Sequence, residues 1–421
     1  MDAHQRPPHV VIVGGGFAGL DAARGLRRAD VTVTLIDRRN HHVFQPLLYQ
    51  VATATLSPGE IASPIRWILR KQPNTRVLLA GVIAVDPPAK VVVLDDGERL
   101  TYDYLILAPG ATHSYFGHEE WAPHAPGLKT LDDALALRRR MLLAFEEAER
   151  ERDPGRQRHL LTFVLIGGGP TGVELAGALV EIARHTLRQE FDTIDPESAR
   201  IILIEAGETI LPSFPASLRD SARRALRRLG VEVWEKARVT GVEPEAVMVG
   251  ADRLSAHTII WAAGVAGSML GASLGVPLDS VGRVAVEPDL SVPGHPAIFV
   301  VGDLASFPHQ TGQPLPGVAQ VAKQQGARAA ANVRRLVNGE GTQPFRYRDP
   351  GNMATIGRAN AIADFGFARV SGFLGWLLWL FVHVVFLIGF RNRLSVLLQW
   401  AGSYTTYQRS VRLITGDSLR Q

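Results

Sequence analysis

The sequence predicts an α/β fold: two Rossmann-like dinucleotide-binding domains, the second inserted in the first, plus a C-terminal membrane-anchoring helical region. Three observations predict it. A strand, a glycine-rich turn and a helix start follow one another in Val10-Val-Ile-Val-Gly-Gly-Gly-Phe-Ala-Gly-Leu20, and the same pattern returns between Leu161 and Ala176. Residues 373–390 are apolar apart from His383, with an arginine-rich stretch behind them. The spacing places the first domain at 1–115 and 281–350, the second at 116–280 and the C-terminal region at 351–421.

Composition narrows the chemistry. The 421 residues suffice for roughly two to three domains, each with its own core. There is no cysteine, which excludes a disulfide scaffold, a thiolate zinc site, a cysteine-held iron–sulfur cluster and a redox-active dithiol. The histidines show no HxH or HExxH spacing, so no metal site is expected. The amino terminus has no apolar run and does not read as a secretory signal. Net charge is +4, and five arginines against Asp417 in residues 391–421 account for all of it. A basic tail behind an apolar segment suits an anionic lipid surface; no nucleic-acid motif or basic stripe is present.

In chain order, Gly14 allows a tight turn, Gly16 lets backbone N–H groups approach a pyrophosphate, and Gly19 lets the helix pack against the strand. Phe17 and Ala18 open that helix, expected over 20–28. The next strand, 31–36, ends in Asp37, an acid placed to accept both hydroxyls of an adenosine ribose, with Arg38 beside it. Residues 41–52, apolar with interspersed amides, suit equally a surface loop folded on the core or a wall beside a cofactor ring. Strands are expected at 77–84 and 91–94 with a turn at 95–97. The strand 104–111 ends in small residues, Ala108 and Gly110, where backbone could approach a ligand. A charged helix, 131–151, is closed by Asp153-Pro154-Gly155.

The second cradle has Gly167, Gly169 and Gly172 at the strand-to-helix position, with Pro170 and Thr171 between. Strand 200–204 then leads to Glu205. Glu205 lies 33 residues beyond Gly172, against 18 from Gly19 to Asp37, so the crossover over 184–198 must hold a longer helix or an insertion. No Arg follows Glu205 to receive a 2′-phosphate and the carboxylate repels one, which favours NADH over NADPH. A helix at 216–229 and strands at 231–234, 258–262 and 298–301 come next. Ala263 and Gly264 repeat the small-residue strand ending, and Asp303 presents a carboxylate at a strand end, suited to a ribityl or phosphate contact or to capping the next segment. A helix over 318–327 puts Gln320 and Gln324 on one face.

At 1.5 Å per residue the 18 residues 373–390 reach about 27 Å, short for a hydrocarbon layer of roughly 30 Å. Spanning would also export the arginine-rich tail against the positive-inside rule. A helix lying in the interface avoids this, with a second helix presenting Leu394, Leu397, Leu398, Ala401 and Tyr404 beside it. Trp376, Trp379 and Trp400 suit an interfacial belt better than a buried dimer interface. His383 is assigned no chemistry.

Two cradles in one chain imply one tightly bound flavin and one exchangeable nicotinamide, whose hydride passes to the flavin when the two rings are held together and kept dry. Without cysteine there is no protein dithiol to take the electrons onward. A membrane surface points to a lipid-soluble quinone. The chain resembles the type II NADH:quinone oxidoreductases over essentially its full length, through Gly14-Gly-Gly-Phe-Ala-Gly19, Phe44-Gln-Pro-Leu-Leu-Tyr-Gln-Val-Ala-Thr53, Gly167-Gly-Gly-Pro-Thr-Gly-Val-Glu174, Val301-Gly-Asp303, Ala319-Gln-Val-Ala-Lys-Gln324 and the apolar segment with its basic follower.

That resemblance implies FAD at the first cradle, with Asp37 on its ribose and Asp303 near its ribityl chain, and NADH at the second, with Glu205 on its ribose. It implies that Ala319, Gln320 and Gln324, with Gln45, Pro46 and Leu47, line a quinone pocket, and that Glu174 sits by the nicotinamide. There Glu174 would tune NADH binding or relay protons; equally, it is a first-turn acid favoured by the helix dipole. Members of the family can carry a C-terminal lysine near the quinone, and here no Lys follows Lys323. The expected setting is the cytoplasmic face of the cell membrane, with a homodimer through the C-terminal region. Two other functions compete: a soluble NAD(P)H-dependent reductase of a redox-protein partner, and a redox-sensing or assembly flavoprotein.

Overall fold

The computed structural model describes residues 6–387, 390–406 and 411–414. The chain forms two compact units, one of residues 1–42, 63–112 and 265–350 and one of residues 43–62, 113–264 and 351–421.

The first unit is built on a six-stranded sheet. In sheet order its five parallel strands are Thr75–Leu79, Thr32–Asp37, His9–Val13, Tyr104–Leu107 and His295–Val300, with Ser291–Val292 antiparallel at one edge. Val10, Val11, Ile12, Leu105, Ile106, Leu107, Phe299 and Val300 are fully buried. Such unbroken apolar runs, rather than alternating ones, are what a parallel sheet covered on both faces requires. The first cradle helix, Phe17–Gly25, crosses Ala319–Val337 so closely that a Cβ on Gly326 would lie 2.1 Å from the Ala18 carbonyl oxygen. That later helix runs ten residues past its expected end, because the alanine-rich stretch after Gly326 continues the same buried face through Ala329, Ala330 and Val333.

The second unit carries a four-stranded parallel sheet, Glu232–Trp234, Arg200–Ile204, Thr162–Ile166 and Thr258–Trp261 in sheet order. Residues 43–62 are a 3-10 turn, Gln45–Leu47, and two short helices, Leu48–Ala52 and Pro58–Ile61; Glu60 caps the latter by accepting the Ser57 N–H at 2.6 Å. The long helix Leu131–Arg150 starts on a reciprocal Thr130–Asp133 cap. Asp153, expected only to close it, starts a further helix, Pro154–Leu160, by accepting the Arg156 N–H. The stretch 184–198 is an insertion and not a longer α-helix: a π turn, Ile182–Thr186, then a connection held by Glu149, which accepts the N–H groups of Asp192, Thr193 and Ile194, and a 3-10 turn, Pro196–Ser198.

The unit ends in an antiparallel sheet, Asn352–Thr355, Ala361–Asp364 and Arg369–Ser371, and two helices, Gly372–Phe386 and Phe390–Thr406. Among the described residues no helix is long and apolar enough to cross a membrane. The aromatic belt needs correction. Trp379 and Trp400 are each 1 % exposed and pack with ring centroids 5.5 Å apart; the Trp400 indole N–H donates to the buried Gln50 Oε1 at 2.7 Å. Only Trp376 of the three is partly exposed. Two tail arginines are committed to protein groups: Arg393 donates to the carbonyls of Val385 and Leu387, and Arg412 pairs with Glu190. The side chains of Arg391 and Tyr404, and Arg409, Asp417 and Arg420 altogether, lie outside the described residues.

Candidate functional site

Within the first unit the turn 13–19 is shaped by two close approaches. Gly14 has φ +100°, and a Cβ there would sit 2.1 Å from the Ala108 carbonyl oxygen; a Cβ on Gly19 would sit 1.8 Å from the carbonyl oxygen of Gly14. The small-residue end of strand Tyr104–Leu107 thus abuts the turn. Gly16 is the opposite case, with nothing within 4 Å of its Cβ position. The helix it opens has no side-chain cap and no acid in its first turn, whereas Thr130 and Asp153 cap theirs. An uncapped N-terminus facing open space suits a phosphate.

Asp37 is anchored beneath the turn: Oδ2 accepts the Gly15 N–H at 2.6 Å and Oδ1 the Arg39 N–H at 2.7 Å. Each carboxylate oxygen keeps a second lone pair, the capacity two ribose hydroxyls need. Arg38 points to solvent. His42, inside the ambiguous 41–52 stretch, is buried and supports the turn from the other side. Its Nδ1 lies 3.1 Å from the Gly15 carbonyl oxygen and its ring meets Phe17 edge-on at 4.9 Å. Burial holds its pKa down at about 4, so the ring is neutral at pH 7 and Nδ1–H donates.

Further along the same unit, Gly302 has φ +72° and its N–H donates to the buried Gln325 Oε1 at 2.7 Å. That bond orients the turn carrying Asp303. Gln325, beside the expected Gln324, is not singled out by the sequence patterns; the available signal was a third glutamine closing the Ala-Gln-x-Ala-x-Gln-Gln run 319–325. Gln324 is committed elsewhere, its amide donating to the Arg348 carbonyl at 2.9 Å and accepting the Arg348 N–H at 3.0 Å. Gln320 and Ala319 are half-buried on the first turn of their helix. Gln45, Pro46 and Leu47 belong to the second unit, where the Gln45 amide donates to the Lys129 carbonyl at 3.2 Å.

The second cradle repeats the first in detail. Gly167 has φ +114° with its Cβ position 2.5 Å from the Ala262 carbonyl carbon, Gly172 would clash with the carbonyl of Gly167, and Gly169 faces open space. The helix Pro170–Glu181 also lacks a side-chain cap. Glu205 stands where Asp37 does: Oε2 accepts the Gly168 N–H and Oε1 the Gly207 N–H, both at 2.6 Å. Pro170 and Thr171 are exposed; Ala263 and Gly264 are half-buried just past strand Thr258–Trp261.

Glu174 differs from the expected first-turn acid. It falls in the second turn of its helix, where the dipole has faded, and accepts only one long N–H bond, from Thr355 at 3.4 Å. Removal from water dominates and raises its pKa to about 8, so the carboxyl is largely protonated at pH 7.

A family model described as pyridine nucleotide-disulphide oxidoreductase matches residues 8–326, and one described as the NDH2 C-terminal domain matches residues 350–406. The type II NADH:quinone oxidoreductase Ndh of Mycobacterium tuberculosis is 45% identical, covering 97% of this chain and 91% of its own length. The type II NADH:quinone oxidoreductase of Staphylococcus aureus is 30% identical over 84% of this chain and 88% of its own. Among solved structures, NDH2 of Plasmodium falciparum in complex with NADH aligns with a TM-score of 0.87 at 20% identity, covering 98% of this chain and all of that one.

Proposed function

The chain belongs to the type II NADH:quinone oxidoreductases, which oxidise NADH through bound FAD and reduce quinone without pumping protons, and from that premise we propose where each partner is held and where the enzyme works. FAD, when bound, supplies the two-electron relay between NADH and quinone. The open, uncapped turn at Gly14, Gly16 and Gly19 would hold its pyrophosphate and Asp37 its ribose, with Asp303 by the ribityl chain. Gly167, Gly169, Gly172 and Glu205 would hold NADH in the same manner. Glu174 would keep its proton on the carboxyl group and offer the nicotinamide side of the site a neutral donor. Ala319 and Gln320 would face the quinone side, with Gln324 bracing that end of the helix through its two bonds to the Arg348 backbone.

The enzyme would lie on the cytoplasmic face of a membrane, embedded by its C-terminal helices and not spanning. One observation carries this. Phe373, Leu374, Leu377 and Phe381 are 59, 58, 42 and 66 % exposed, and Leu394, Leu397 and Leu398 of the following helix are exposed as well. Seven large apolar side chains on two successive helices exceed the scattered exposure normal for a soluble surface. The test is co-sedimentation of the FAD-loaded chain with anionic vesicles. We expect wild type to pellet with lipid, and a Phe373→Ser, Leu377→Ser, Phe381→Ser triple variant to stay in the supernatant while still oxidising NADH with a water-soluble acceptor. Undiminished lipid binding by the variant would refute the placement.

A further inference from the structure

The second unit holds a histidine–carboxylate cluster that the redox chemistry does not use. His159 ends the helix Pro154–Leu160, His257 immediately precedes strand Thr258–Trp261, and Glu245 sits in the turn between strands Val239–Glu243 and Ala246–Val249. The three chain segments converge, and the donor atoms of the three side chains lie within 4.8 Å of one another. His159 Nε2 is 3.5 Å from Glu245 Oε2 and His257 Nδ1 is 3.8 Å from Glu245 Oε1. A tetrahedral metal with bonds near 2.0 Å holds its donors about 3.3 Å apart; the two imidazoles reach the two oxygens of one carboxylate at 3.5 and 3.8 Å, so side-chain rotation alone brings three donors to that spacing.

What singles the cluster out is the state of the two imidazoles. His159 Nε2 and His257 Nδ1 are buried and face the Glu245 carboxylate at 3.5 and 3.8 Å without a well-formed hydrogen bond. The opposite ring nitrogens are engaged: His159 Nδ1 lies 2.7 Å from Ser255 Oγ, and His257 Nε2 lies 3.6 Å from the Glu147 carboxylate. Ser255 Oγ can accept a hydrogen bond from His159 Nδ1 and the Glu147 carboxylate attracts a proton at His257 Nε2, so both rings have a tautomer that points a lone pair inward, the arrangement of metal-ligating histidines. Arg156 grips Glu245 through Nη1 and Nη2, both at 2.8 Å, which fixes the carboxylate and leaves each oxygen a second lone pair. In those tautomers two imidazole lone pairs converge with the oxygens of Glu245 that Arg156 leaves half used, and a metal cation is the group that engages all three side chains at once.

We propose that His159, His257 and Glu245 form a binding site for a divalent transition metal, Zn²⁺ being the best match to two imidazole nitrogens and one carboxylate oxygen, with water as fourth ligand. Glu245 is 43 % exposed on its side chain, so the site has an open mouth for entry and for that water. The site sits at the starting ends of strands Thr162–Ile166 and Thr258–Trp261, whereas the dinucleotide turn follows their other ends, roughly 16 Å away at 3.3 Å per residue. Its role is therefore structural. It ties the helix before the first strand, the antiparallel meander and the entry to the last strand into one corner of the nucleotide-binding sheet.

Equilibrium dialysis of the FAD-loaded protein against Zn²⁺, with metal counted by mass spectrometry, tests this. About one Zn²⁺ per chain is expected in wild type. The His159→Gln, His257→Gln double variant should lose it while keeping its flavin and its NADH oxidation, and His118→Gln, an exposed control, should retain it. With Co²⁺ in place of Zn²⁺, wild type should show the intense visible bands of a tetrahedral ion and the double variant should not. Should the double variant fail to fold, Ser255→Ala decides, since freeing the outer nitrogen of His159 should weaken binding by about 10–100-fold. Zn²⁺ binding that is equal in wild type, the double variant and Ser255→Ala, or absent in wild type, would overturn the proposal.

Discussion

Glu174 shows how a single residue's surroundings decide its chemistry. Its native pKa of about 8 exceeds the ordinary 4.5. The folded protein therefore holds a proton that the unfolded chain releases, and stability falls as pH rises between those values, by roughly 1.4 kcal/mol per pH unit. Glu174→Gln removes that dependence, so the variant should melt progressively higher than wild type from pH 5 to pH 9. If the neutral acid serves the nicotinamide, wild-type kcat/KM for NADH should also decline above about pH 8 and the variant should lack that limb; identical pH profiles would reject the role. Glu205 makes the complementary case. Its carboxylate is fixed by two N–H bonds at 2.6 Å, and Glu205→Gln should cut the preference for NADH over NADPH by about tenfold, the effect of about 1.4 kcal/mol, as read from the two kcat/KM values. Glu205 was legible as a position because glycine spacing marks the strand ends, and Glu174 through the resemblance carried by Gly167-Gly-Gly-Pro-Thr-Gly-Val-Glu174. The protonation of Glu174 was not, since it depends on segments distant in sequence, Thr355 among them.

At the scale of elements, what was legible was local. Glycine turns, parallel strands and the helix Ala216–Leu229 follow from patterns over a few residues, and the structure has them. What tertiary packing decides was not legible. Residues 41–52, open in sequence between a surface loop and a wall beside a cofactor ring, form the strand His41–Val43, the 3-10 turn Gln45–Leu47 and the short helix Leu48–Ala52, where Leu48, Val51 and Ala52 find a buried surface. Trp379 and Trp400, expected at a lipid interface, are core residues: Gln50, some 350 positions earlier, supplies the hydrogen bond the buried Trp400 indole needs, and Trp379 packs against the Trp400 ring. Trp400→Phe should cost about 1–3 kcal/mol by leaving Gln50 Oε1 unpaired, measurable as a drop in melting temperature; a Gln50→Leu, Trp400→Phe double variant should recover part of it. No recovery would mean the bond is not what the indole contributes.

For the whole molecule, duplication explains most of the architecture. Two turns share one geometry, each with an acid bonded to its central glycine and each opening an uncapped helix, and the lack of cysteine leaves no thiol of this chain to carry electrons onward. The repeat was visible in sequence because each copy is contiguous. The histidine cluster was not, since His159, Glu245 and His257 have no metal-ligand spacing along the chain and meet only in the folded sheet.

The central claim is that NADH bound at one seat delivers its electrons through FAD at the other to a quinone in lipid. It is tested most directly by stopped-flow mixing of the NADH-reduced, FAD-loaded protein with vesicles containing a menaquinone or ubiquinone analogue, following flavin absorbance. The account predicts full reoxidation at a rate no slower than steady-state turnover. Flavin that stays reduced in the presence of vesicle-borne quinone, while a soluble redox protein reoxidises it, would contradict it.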